Sequence, residues 1–169
     1  MPESHAVPEV PKIAGWINGQ TKGRPTPAAF LRFHRWLYQT TDGRLGHGLV
    51  GAPSLVMFTT GRHSGKQRIS VLIYGRDGDR FVVAASNDGL DHHPGWFFNV
   101  QVDPAVKLQV ARNKLAGRAQ VVETSSPEYS RLWALMNATN HGRYDGYQSK
   151  TERSIPLVVV TPSSVEHGT

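Results

Sequence analysis

At 169 residues the chain is long enough for one ordinary domain with its own core. Its 19 Lys and Arg against 13 acidic residues leave a formal charge of +6, which suits an anionic ligand, nucleic acid or an acidic membrane surface. The absence of cysteine excludes disulfides, thiolate metal sites and cysteine nucleophiles, and with no apolar run of spanning length and no signal-peptide core the sequence reads as cytoplasmic.

Residues 1–26 are rich in Pro, Gly and charge and read as a flexible arm with one apolar anchor, Ile13-Ala14-Gly15-Trp16-Ile17. Such an arm leaves open a peripheral contact with the inner face of a membrane. Residues 27–169 read as a single domain. Phe30, Phe33, His34 and Leu37 fall at helical spacing, which predicts an amphipathic helix over 28–38 started by Thr26 and Pro27. Gly46-His47-Gly48-Leu49-Val50-Gly51 fits the dinucleotide pattern, but no strand precedes it and Pro53 stands where a helix should start, so it reads as a connector.

The apolar run Leu55–Thr60 enters the loop Gly61-Arg62-His63-Ser64-Gly65, and a second run leaves through Lys66-Gln67-Arg68 to Tyr74. This predicts a hairpin whose tip holds an anion. Its glycines allow close backbone approach, Ser64 adds a hydroxyl donor, and Arg62, Lys66 and Arg68 can grip a phosphate or carboxylate. It is not a P-loop: only three residues separate Gly61 from Gly65, and Gln67 follows Lys66.

A tight turn at Arg76–Asp79 leads to a third strand, Arg80–Ala85, and a short helix over 94–102 ends at Asp103-Pro104. Val106, Leu108 and Val110 alternate with polar residues; a turn at Arg112–Lys114 then leads into a strand from Leu115 to Val122, giving five strands in meander order. A helix opened by Ser125-Ser126-Pro127-Glu128 carries Tyr129, Leu132, Trp133 and Met136 on one face, and Ile155–Val160 forms the sixth strand. Many antiparallel strands beside few short helices predict a closed or partly open barrel. Adjacent His92 and His93 face different ways and predict no metal site, Glu152-Arg153 and Asp77/Arg80 read as surface ion pairs, and no exposed aromatic sheet pattern points to nucleic acid.

The loop, taken with Ala84-Ala85-Ser86-Asn87-Asp88-Gly89, His93-Pro94-Gly95-Trp96-Phe97-Phe98-Asn99, Asp103–Val106 and Tyr144-Asp145-Gly146-Tyr147-Gln148-Ser149, resembles the deazaflavin-dependent nitroreductase family over residues 27–162. The resemblance implies a split β-barrel of about six antiparallel strands that binds coenzyme F-420, an 8-hydroxy-5-deazaflavin with a phosphate and a polyglutamate tail. It implies that Arg62, His63, Ser64, Gly65, Lys66 and Arg68 grip the phosphate and tail. Ser70, Val71, Ala84, Ala85, Ser86, Asn87, Trp96 and Asn99 are implied to surround the ring. Lys is common in that family where this chain has His63 and Asn87, so two fixed charges are missing.

Tyr144 and Tyr147, in a Gly-interrupted loop, and Ser86 are implied on the catalytic side. A phenol with a pKa of about 10 stays protonated and can hydrogen-bond a quinone, enone or nitro oxygen that gains charge as hydride arrives. His141 and Ile73 replace aromatic residues common in relatives, which bears on the acceptor more than on the coenzyme. The alternative class is a non-catalytic split-barrel carrier or sensor of FMN, haem or a lipid, with FMN the weaker cofactor candidate for an enzyme.

Overall fold

In the computed structural model, residues 51–163 are described; the arm, the helix expected over 28–38 and most of the 46–51 glycine pattern lie outside them. The strands are β1 (Ser54–Thr60), β2 (Gln67–Asp77), β3 (Arg80–Ala84), β4 (Ala105–Val110), β5 (Asn113–Val122) and β6 (Leu157–Pro162). Three helices accompany them: α1 (Gly95–Val102), α2 (Tyr129–Thr139) and α3 (Arg143–Gln148), with a 3-10 turn at Asn87–Gly89.

All six strands pair antiparallel and close into a barrel in the order β1-β2-β3-β6-β5-β4, so the six-strand split barrel expected from the sequence is present. The simple meander is not. β6 inserts between β3 and β5, and β4 returns to pair with β1. Closure gives every strand a neighbour on both sides, although β2 pairs with β3 only over Tyr74–Asp77.

Period-two alternation builds two apolar layers. Leu55, Met57, Tyr74, Phe81, Val83, Val106, Leu108, Ala119, Val158 and Val160 point inward with Trp96, Phe97 and Val100 of α1. Val82, Ala84, Val122, Leu157 and Val159 point outward and are covered by Leu132 and Met136 of α2 and Tyr144 of α3. The predicted apolar face of α2 is therefore correct. Helix and sheet approach closely at Gly75, where an added Cβ would lie 3.0 Å from Met136 Sδ and 3.3 Å from Leu135 Cγ.

The first hairpin forms where predicted, with Thr60 opposite Gln67 and six residues between them. The turn after β4 comes at Ala111 and Arg112, one residue earlier than expected, with Ala111 left-handed at φ 51. α1 runs as predicted and stops at Asp103, whose carboxylate accepts the N–H of Ala105 at 3.1 Å after Pro104.

Two expectations are corrected here. Tyr144 to Tyr147 belong to a helix, not a loop: Gly142 at φ 74 reverses the chain, and Asp145 is held by Trp133 Nε1 at 2.8 Å and Asn137 Nδ2 at 2.6 Å. Arg153 makes no surface ion pair with Glu152 but turns inward to backbone carbonyls of the 85–90 segment. Asp77 and Arg80 do pair, and Arg131 joins them at 2.6 Å.

Candidate functional site

The hairpin tip is a compact hydrogen-bonded loop. Gly61 N donates to Lys66 O at 2.9 Å, while Gly61 O accepts from Ser64 N at 3.1 Å and Gly65 N at 2.8 Å. Gly65 is left-handed at φ 62, and a Cβ on Gly61 would lie 2.9 Å from Ser64 Oγ and 3.2 Å from Arg68 Nε. Glycine is thus needed at both positions for different reasons, conformation at one and close approach at the other. Ser64 Oγ accepts from Lys66 N and Arg68 Nη2, each at 3.3 Å, which leaves its own proton to donate outward.

Asn99, 4 % exposed, joins this loop to α1. Its side-chain oxygen accepts Arg62 N at 3.2 Å and its nitrogen donates to Thr59 Oγ1 at 3.1 Å. Arg62 then lies over the Phe98 ring at 4.9 Å, with Nη1 donating to Gly95 O at 3.4 Å.

Between loop and helix opens a cleft of about 380 Å³ lined by Gly61, Arg62, His63, Ser64, Arg68, Ser70, Gly95, Trp96 and Asn99. Its lining contains two guanidinium groups and a histidine but no carboxylate. The volume is within the range of small-ligand sites. The donor set fits a coenzyme with a phosphate and carboxylates: the arginines offer planar paired donors, Ser64 a hydroxyl, and Trp96 and Gly95 a flat wall.

Seven of the residues expected to bind coenzyme meet here: Arg62, His63, Ser64, Arg68, Ser70, Trp96 and Asn99. Gly65 and Lys66 belong to the same loop but do not line the cleft. Val71 is separated from Ser70 by the pleat: Ser70 pairs with inward Met57, whereas Val71 pairs with Val56 on the outer face. Only one of the two side chains can therefore face the cleft. Ala84 and Ala85 likewise point to opposite layers, one packed in the outer cluster and one within the barrel.

Ser86, 9 % exposed, precedes the 3-10 turn, and its carbonyl accepts from Arg153 at 2.5 Å. Asn87 turns away to hold His92, its Nδ2 3.0 Å from the carbonyl oxygen. Gly95 also lines the cleft, which the sequence does not signal, because glycine reads there as punctuation and not as wall.

Tyr144 is 4 % exposed and sits in the outer cluster, its ring 6.1 Å from Trp133 and edge-on to Tyr147 at 5.9 Å. Burial first, then Tyr147 and Asp88, push its phenol well above the ordinary range. Tyr147 is half-buried, with Lys150 Nζ 5.2 Å from its ring centre; burial first and Asp88 second raise its phenol too. Both hydroxyls are thereby kept protonated. Neither residue lines the cleft. The Asn140 amide, 1 % exposed, has neither of its polar atoms hydrogen-bonded within the fold.

Among the described residues no cluster of His, Asp and Glu could hold a metal ion, and no helix is long and apolar enough to cross a membrane.

The family model for F420H(2)-dependent quinone reductase matches residues 30–162. The chain belongs to that family. It is 42 % identical over 150 residues, 88 % of this chain and 97 % of the relative, to the F420H(2)-dependent quinone reductase Rv1261c of Mycobacterium tuberculosis. The solved F420-H2 dependent reductase FDR-A superposes with a TM-score of 0.58 at 33 % identity, over 64 % of this chain and 93 % of that one. A structure described as a domain-swapped dimer gives 0.61 at 32 % identity, over 80 % and 99 %. HutZ, the haem storage protein of Vibrio cholerae, gives 0.53 at 17 % identity over 66 % of this chain and 82 % of that one, a likeness of fold alone. Membership makes the chain an oxidoreductase with coenzyme F-420 as cofactor.

Proposed function

We propose that this protein reduces a quinone with hydride from reduced coenzyme F-420, and that the cleft between the 61–68 loop and α1 is where the coenzyme binds. The observation that carries this reading is the acid-free, arginine-lined cleft with its loop clamped to α1 through Asn99. A neutral ligand has no use for two guanidinium groups on one wall, whereas a phosphate with carboxylates does.

Arg62 and Arg68 hold the anionic part, with the hydroxyl of Ser64 and the charge of Lys66 beside them. Trp96, Asn99 and Ser70 form the wall against which the flat ring system rests. When bound in its reduced form the coenzyme supplies the hydride. A quinone that accepts hydride becomes a quinol only with one added proton, so a protonated donor must stand near its oxygen. Tyr147 suits that task best: its phenol stays protonated, and it is the less enclosed of the two tyrosines. Enones and nitro compounds are further acceptors for the same chemistry, since each gains negative charge on oxygen as hydride arrives.

The test is coenzyme F-420 binding by fluorescence, followed by menadione reduction monitored through recovery of the oxidised deazaflavin band. Tight binding with quinone-dependent recovery is the expected result. Binding without turnover for menadione, an enone or a nitroarene would instead favour a carrier, and preference for FMN over the deazaflavin would remove the tail assignment.

A further inference from the structure

Arg153 joins the segment after β3 to the segment before β6. Its Nε donates to Leu90 O at 2.7 Å, and Nη2 donates to the carbonyls of Ala85 and Ser86 at 3.2 and 2.5 Å. Nη1 reaches Nδ1 of His93 at 3.0 Å. Arginine can only donate, so His93 accepts through Nδ1 and is a neutral ring with its proton on Nε2.

The turn so gathered needs restraint. Asn87 and Asp88 are consecutive non-glycine residues in the left-handed region, at φ 48 and 56, a conformation that persists where tertiary contacts impose it. Thr151 Oγ1 adds a hydrogen bond to Asp91 at 2.9 Å, and Ala85 N donates to Pro156 O at 3.0 Å.

From His93 the packing continues to the cleft. Its ring lies 4.7 Å from Phe97 and edge-on to Phe98 at 5.9 Å, and Phe98 carries the Arg62 guanidinium on its face. We propose that Arg153 and His93 form a positioning pair that fixes the first turn of α1 and, through Phe98, the Arg62 side of the coenzyme cleft, and that protonation of His93 releases it. The effect on coenzyme binding rests on the function proposed above; the effect on Arg62 does not.

The groups facing His93 support this direction. Burial first and the Arg153 charge second lower its pKa from the ordinary value, against a smaller upward pull from Glu123. Asp91 acts on Arg153, and His92 is occupied with Asn87. A ring whose folded pKa is depressed is neutral in every state well above 6.5. As pH falls below that value the released form takes the proton first, and the pair loses ground.

The test compares the parent with H93Q and R153Q. Gln can still accept from Arg153 through its side-chain oxygen but cannot be protonated. In coenzyme-free protein, NMR titration should show the Arg62 amide shifting together with His93 in the parent, staying put in H93Q, and the His93 pKa rising in R153Q. With coenzyme present, the parent Kd should weaken about five- to tenfold through the acid limb, a modest coupling of two sites, and that loss should shrink in H93Q. His63 is common to both proteins, so its contribution cancels in the comparison. An Arg62 amide that ignores the His93 titration, or H93Q losing coenzyme in acid as the parent does, overturns the proposal. A parent that binds no coenzyme at any pH defeats the proposed function instead, and the coenzyme-free titration still decides the pair.

Discussion

The side-chain oxygen of Asn99 accepts the backbone N–H of Arg62 across 37 positions of sequence, while its nitrogen donates to Thr59 Oγ1. One buried amide thus fixes the distance between the hairpin tip and the helix that together make the cleft. Asn99→Leu keeps the volume and deletes both bonds, leaving a hydroxyl and an amide unpaired. The expected cost is about 1–3 kcal/mol of stability in urea unfolding, with coenzyme affinity falling further than the loss of folded protein explains. Unchanged affinity in the folded fraction would separate loop placement from binding.

Arg68 should distinguish the tailed coenzyme from an ordinary flavin. It is exposed and bonded only weakly to Ser64, so its donors are available to a ligand. A charge-assisted hydrogen bond contributes about 1.5–3 kcal/mol. Arg68→Ala should therefore weaken coenzyme F-420 by roughly ten- to a hundredfold, and FMN by less, in parallel fluorescence titrations. Equal losses would place Arg68 at a phosphate common to both ligands.

Much of this was legible in the sequence because it is written in local pattern. Apolar runs bounded by turn residues, and alternation in β4, marked all six strands, while Gly61 and Gly65 with Arg62, Lys66 and Arg68 marked the loop expected to hold an anion. What escaped depended on partners that carry no sequence signal. Arg153 bonds to backbone carbonyls, which any residue presents, so it read as half of a surface pair with Glu152. Gly146 made the 143–148 segment look like a loop, whereas Trp133 and Asn137 hold Asp145 and stabilise a six-residue helix too short to stand alone. Ser70 and Val71 are neighbours in sequence and strangers in space, since the pleat sends one to the cleft side and the other outward.

Gly89 packs where no side chain fits. It is left-handed at φ 81, and an added Cβ would lie 2.7 Å from Tyr147 O and 3.1 Å from Lys150 Cβ. Backbone cannot yield as a flexible side chain does, so Gly89→Ala should destabilise the fold by more than about 2 kcal/mol. The readout is the midpoint of chemical unfolding. A shift near zero would mean that α3 is free to move away from the 3-10 turn.

Asp77 lies between Arg80 and Arg131, and their hydrogen bonds hold its carboxyl down at about 2 from the ordinary 3.8. A depressed carboxyl contributes stability that is present above its unfolded pKa and is lost as pH falls through the folded one. Asp77→Asn should cost about 1 kcal/mol at neutral pH, a figure reduced for solvent screening of a surface network. The gap from the parent should close between pH 4 and pH 2. A constant gap across that range would show that Asp77 acts through shape and not charge.

The two tyrosines of α3 should behave differently, although they touch edge to face. Tyr144 is enclosed by the outer cluster and has little surface to offer an acceptor, whereas Tyr147 is half-exposed beside Lys150. Burial alone therefore ranks Tyr147 ahead of Tyr144 as a partner for the acceptor. Tyr147→Phe keeps the ring and removes the proton proposed above to stabilise charge on the quinone oxygen. It should lower kcat/KM for menadione by roughly ten- to a hundredfold with coenzyme affinity barely moved. Tyr144→Phe should leave kcat near the parent value and shift only the unfolding midpoint, because its hydroxyl is sealed inside the fold. If Tyr144→Phe alone abolishes turnover in a protein of parental stability, the α2–α3 packing must open during reaction and expose that phenol. If both variants reduce menadione at the parent rate, the proton comes from elsewhere and α3 serves only to close the outer layer of the barrel.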